Sequence, residues 1–119
     1  MNPAQHFNAF QKEFDRCLLL LGVTDYLVDY TLEDTLEDAV ANVTTDVKNR
    51  RVFVALARDS VSEYSLSHTR TIAAHEAVHV LLAPLVDLIP DKVYEIELEE
   101  SICNRLAKLL RKTKHVNIN

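Results

Sequence analysis

Residues Thr71–Pro84 read TIAAHEAVHVLLAP, an apolar run interrupted by HEAVH. Helical residues four apart lie one above the other, so His75 and His79 can offer ring nitrogens to a single ion while Glu76 stands beside them at its own angle. This is the H-E-x-x-H arrangement, in which the two His bind zinc and the Glu acts as general base. At about 100° per residue, Ile72, His75, His79 and Leu82 fall in one sector, so both imidazoles are expected on a largely apolar stripe facing the interior. Ser65 or Ser67 can cap this helix, which is expected to end at about Leu82, before Pro84. His68 projects to the same sector but lies roughly 10 Å along the axis from His75, too far to share its ion, and belongs at the rim.

A catalytic zinc needs a third protein ligand and an open position for water. The longer motif H-E-x-x-H-x-x-G-x-x-H would require Gly at Leu82 and His at Leu85, so that class is excluded. Downstream lies VYEIELEESICNRLAKLLRKTK, residues 93–114, a strongly periodic final helix offering Glu95, Glu97, Glu99 and Glu100. Its apolar sector, from Ile96, Leu98, Ile102, Cys103, Leu106, Leu109 and Leu110, is centred almost on Glu99. A carboxylate buried there calls for a cation, because an unpaired buried charge costs several kcal/mol. Glu99 is therefore ranked first as third ligand, with Glu95 and Glu100 behind it. Two imidazoles and a carboxylate would leave zinc acidic enough to bring water toward neutral pKa, with Glu76 taking the proton as that water attacks a carbonyl, most naturally a peptide bond. Tyr64 or Tyr94 could stabilise the oxyanion, though no spacing argument selects either.

Upstream, Pro3–Leu21 carries Phe7, Phe10, Phe14, Cys17, Leu18 and Leu21 at helical spacing, with Gly22 as a stop. The three Phe read as core, and His6 as a solvated surface residue. Thr24–Tyr30 and Ala39–Thr45 fit two strands separated by an acidic stretch, which lacks the spacing of a calcium loop and reads as a solvated face. Arg51–Ala57, RVFVALA, is the clearest strand and is expected to be covered on both faces. These segments suggest a small sheet with antiparallel hairpin connections. Arg58–Tyr64 reads as polar loop, Leu85–Pro90 as an apolar connector around Asp87, and Arg105, Lys108, Arg111, Lys112 and Lys114 as a basic end that could touch an acidic partner. His115, in the tail, is not assigned to the site.

The chain has 119 residues, 48% of them hydrophobic and 26% charged, which fits one globular domain over residues 1–119. With one Gly, phosphate-cradling loops are absent, and a net charge of −5 argues against nucleic acid as a partner. Cys17 and Cys103 have no metal or redox spacing between them and read as buried small apolar residues suited to a reducing compartment. The N-terminal sequence lacks the pattern of a secretory signal, and no run is long enough to span a bilayer, so a cytoplasmic location without membrane association is expected.

HEAVH, the following EIELEESICNRLAKLL helix and the preceding strand RRVFVALAR together resemble the small H-E-x-x-H zincins of phage and prophage genomes. These are minimal gluzincins, akin to the ImmA/IrrE-type metallopeptidases. The likeness covers roughly residues 24 to 112. It implies an α+β fold, with an N-terminal helix, a small three-stranded, mainly antiparallel sheet, the H-E-x-x-H helix and a long C-terminal helix. It also implies Zn2+ on His75, His79 and a Glu at about Glu99, Glu76 as base, and a protein or peptide substrate, cleaved in the host cytoplasm if the chain is phage-encoded. ImmA/IrrE-type motifs commonly read HELGH, whereas this chain has Ala77 and Val78. Two other readings compete: a non-catalytic, zinc-stabilised module that binds a protein through its acidic face, and a metal-free structural protein in which HEAVH is coincidental.

Overall fold

The structure, a computed structural model, describes residues 2–86 and 88–113; Asp87, Lys114 and His115 lie outside them. The elements are α1 (Pro3–Leu20), β1 (Leu27–Glu33), β2 (Ala41–Asp46), β3 (Arg51–Ala57), α2 (Arg58–Val61), α3 (Leu66–Val86) and α4 (Lys92–Lys112), an α+β arrangement. Helix α1 opens on a reciprocal cap: the Asn2 side chain accepts from the Gln5 amide at 2.9 Å and the Gln5 side chain accepts from the Asn2 amide at 3.1 Å. It closes on Gly22, whose φ of +74° lets Gly22 N–H reach the Leu19 carbonyl and Val23 N–H the Leu18 carbonyl. Phe10 and Phe14 are fully buried and stack on each other, and Phe14 meets the edge of the Tyr30 ring. His6 is buried rather than solvated: it sits on the inward face of α1, and its Nδ1 pairs with Thr69 Oγ1 of α3 at 2.7 Å.

The sheet is mixed, in the order β1-β3-β2, with β1 parallel and β2 antiparallel to β3. The expected chain of hairpins holds only for β2 and β3, joined through residues 47–50 by a turn in which Asp46 accepts from Asn49 and Arg50 takes positive φ. Residues 34–40 instead carry the chain from β1 past β3 to the far edge, a jump of about 9.6 Å, or two strand spacings. The most apolar strand thereby takes the centre, where both its backbone edges are paired. It is covered on one face only. Val52, Val54 and Leu56 are buried, while Phe53 is 47% exposed on the other face, beneath the Arg51 guanidinium. The first strand begins three residues later than the sequence suggested, because its register against β3 pairs Leu27 with Arg51 and leaves Thr24–Tyr26 in the connection.

Helix α3 packs on α1, α4 and β2, so it is buried on several sides rather than along one stripe: Thr69, Ala73, Ala74, Ala77, Val78 and Val80 are all inaccessible. Ser65 is its cap, accepting from the His68 amide at 3.0 Å. The helix does not stop before Pro84 but continues to Val86. Pro84 lies in the last turn, where the missing N–H forfeits one bond to Val80 and too little helix follows for a kink to disrupt packing. The segment read as polar loop contains α2, pinned by fully buried Val61. Asp91 caps α4 by accepting from the Tyr94 amide. At its far end, Arg111 is not free for a partner: it donates to Glu13 of α1 at 2.6 Å. Arg16 grips the same carboxylate through two bonds and also donates to the Leu110 and Thr113 carbonyls at the end of α4. No described helix is long and apolar enough to cross a membrane.

Candidate metal centre

The four-residue spacing on α3 stacks His75 and His79 with ring centroids 4.9 Å apart and their Nε2 atoms 3.2 Å apart. The stripe they occupy is turned toward α4, leaving the two side chains 21% and 17% exposed. Two adjacent carboxylates of α4 meet them differently. Glu99 turns inward, as its place on the helix wheel predicts, and its Oε2 makes a short contact with His79 Nδ1. Glu100, expected at the margin, straddles the other nitrogens: one oxygen is 3.2 Å from His75 Nε2 and the other 3.0 Å from His79 Nε2. Glu95 is 5% exposed and lines an apolar pocket with Leu82, Leu98 and Ile102, which Glu99 borders as well.

One turn beyond Glu100, fully buried Cys103 joins the group. A nitrogen of each imidazole and the Cys103 sulfur lie within 4.8 Å of one another, which makes His75, His79 and Cys103 a candidate metal-binding triad. Sequence reading had taken Cys103 for core filler. The available signal was its spacing of four from Glu99 on the same helix face, which becomes informative only once that face is known to meet the His pair. Burial pushes the Cys103 thiol up to about 12, with Glu100, Glu99 and Glu76 adding to the effect.

These residues fit a metal. With Nδ1 of His79 engaged by Glu99, Nε2 is the nitrogen left to bind an ion. Four donor atoms, the two Nε2 and both Glu100 oxygens, thus converge, with two of the separations at 3.2 Å and one at 3.0 Å. Zinc bonds of about 2.0–2.1 Å in tetrahedral directions place neighbouring donors roughly 3.3 Å apart, close to that spacing.

Glu76 lies deep beside the pair. Burial pushes its carboxyl up to about 7; Glu100 and Glu99 raise it further and His79 opposes them. Glu76, His79 and Glu99 line a cleft of about 350 Å³ whose other wall is Ala41, Asn42, Val43 and Thr45 of β2. Among the described residues that strand pairs with β3 on one side only, which leaves its other backbone edge unpaired in the sheet. Asn42 was invisible to a search for catalytic groups because nothing in the sequence places β2 beside α3. His68 stays at a distance, stacked on Tyr64 at 4.5 Å, and neither Tyr64 nor Tyr94 lines the cleft. No protein-family model matches the chain, and no curated protein is significantly similar to it.

Proposed function

We propose that the protein is a zinc-dependent metallopeptidase that hydrolyses peptide bonds in a protein or peptide substrate. The supporting observation is the convergence of His75 Nε2, His79 Nε2 and Glu100 at separations of 3.0 to 3.2 Å, with half-buried Glu76 lining a cleft together with His79. In this reading His75, His79 and Glu100 hold the ion. Glu99 fixes the tautomer and orientation of His79 instead of serving as the third ligand, the role its position on the helix wheel suggested. Bound zinc supplies Lewis acidity, which activates water as a nucleophile near neutral pH.

The remaining chemistry belongs to the chain. Glu76, which lines the cleft beside His79, would accept a proton from the attacking water and return it to the departing amine. The open edge of β2 offers backbone donors and acceptors to an extended peptide laid along the cleft. Glu76→Gln should keep a full metal complement and lower peptide cleavage by about 10²–10⁴-fold; unchanged cleavage would remove Glu76 from the mechanism. Metal analysis of tag-free protein tests the site itself: absence of stoichiometric zinc, with no loss of thermal stability on chelation, would sink the metal reading.

One observation favours the alternative, a zinc-stabilised protein-binding module. Cys103 adds a further donor to the group, and a site with four protein ligands is structural. Both buried cysteines are free thiols, which suits the cytoplasm as the proposed location.

A further inference from the structure

The donor set around His75 and His79 is larger than a catalytic site needs. Glu99, Glu100 and Cys103 occupy one turn of α4, and all three face the His75–His79 pair. Two of them approach both imidazoles: Glu100 meets the two Nε2 atoms at 3.0 and 3.2 Å, and the Cys103 sulfur lies within 4.8 Å of a nitrogen of each ring. They differ in freedom. The Cys103 side chain is wholly enclosed on a helix packed against α3, whereas the Glu100 side chain is 49% exposed. A zinc–sulfur bond of about 2.3 Å and a zinc–nitrogen bond of about 2.0–2.1 Å put tetrahedral neighbours roughly 3.6 Å apart, so closing the Cys103 contact asks for a shift of about 1 Å. Rotation of the Cys103 side chain and slight settling of α4 on α3 can supply it.

We propose that Cys103 is a fourth ligand to the same ion, so that the resting site is closed by two imidazoles, one carboxylate and one thiolate, with Glu100 the donor that can swing into solvent. This rests on the metal reading above and adds a regulatory element to it. A four-coordinate ion with four protein ligands has no position for water, and hydrolysis waits on the release of one of them. The half-exposed Glu100 is the donor that leaves, while His75, His79 and Cys103 stay. The thiolate also selects for softer ions such as Zn2+, Co2+ or Cd2+ over Mg2+ or Ca2+.

Cobalt is the probe, because it reports coordination without any assay of activity. The full chain is loaded with Co2+ and its absorption recorded for wild type, Cys103→Ala and Cys17→Ala. A near-ultraviolet sulfur-to-cobalt charge-transfer band is expected in wild type and Cys17→Ala and should vanish in Cys103→Ala. Should Cys103→Ala fail to fold, the band in Cys17→Ala, whose only thiol is Cys103, carries the same information. Visible cobalt bands without the sulfur band would overturn the proposal and leave the metal reading standing; no cobalt bands at all would overturn both. Acetohydroxamate is then added as an exogenous ligand. It should leave the wild-type visible bands unmoved and shift them in Cys103→Ala, whereas a shift in wild type would show an open position and overturn the closed resting site.

Discussion

At the scale of single residues, two neighbours on α4 differ in role because they differ in which nitrogen they meet. Glu99 touches His79 Nδ1 and Glu100 the two Nε2 atoms. Removing a group that only orients a ligand weakens metal affinity by about 10–100-fold. Glu99→Gln should therefore lower zinc affinity within that range, while Glu100→Ala, which deletes a donor, should lower it further. Competition with a chromophoric chelator measures both; equal affinities for Glu100→Ala and wild type would return the ligand role to Glu99. The wheel placed Glu99 on the face turned toward α3, although Ile96, Leu98 and Leu109 of the expected apolar sector are exposed. It could not say which carboxylate reaches which nitrogen, because that depends on the height of α4 against α3. His6 shows the same limit: no metal-type partner lies within a turn of it, yet its partner, Thr69, is 63 positions away in the chain.

Among elements, α1 was legible nearly to the residue because its signals are local: a run of apolar residues at helical spacing and a glycine. Nothing lies within 4 Å of where a Cβ on Gly22 would sit, so Gly22→Ala meets no clash and costs only what a left-handed backbone costs an L-residue. That is about 1–2 kcal/mol, measurable as a lower urea midpoint at unchanged slope; no change would mean that the chain end of α1 relaxes out of positive φ. Strand β3 was equally clear, being apolar and flanked by polar residues. Its neighbours were not, because hairpin and crossover differ in link length. Residues 34–40 and 47–50 discriminate between them only when the strand ends are known. Pro84 misled for a related reason, since a proline ends a helix by rule only where more helix would follow it.

For the whole molecule, α1 and α4 are joined through one buried carboxylate, and acid should release it. Burial pushes the Glu13 carboxyl up, but hydrogen bonds and charge from Arg16 and Arg111 outweigh it and hold the group below its ordinary range. A carboxyl whose pKa is lower folded than unfolded contributes stability that is complete above the unfolded value, about 4.3. That contribution drains away as pH falls through the folded value. Thermal unfolding of metal-free protein should show the melting temperature dropping below about pH 4. Glu13→Gln should flatten that drop and cost about 3 kcal/mol at neutral pH, because it leaves two guanidinium groups without their anion; an unchanged acid limb would move the effect to another carboxyl. The sequence by itself determined what local spacing can encode: two imidazoles on one helical face, a carboxylate turned inward one helix later, the caps, and the identity of the central strand. Only the tertiary structure decided which strand lies beside the cleft, which carboxylate meets which nitrogen, and that Cys103 stands among the donors. Those depend on how far one packed element slides along another, a distance set jointly by every side chain between them.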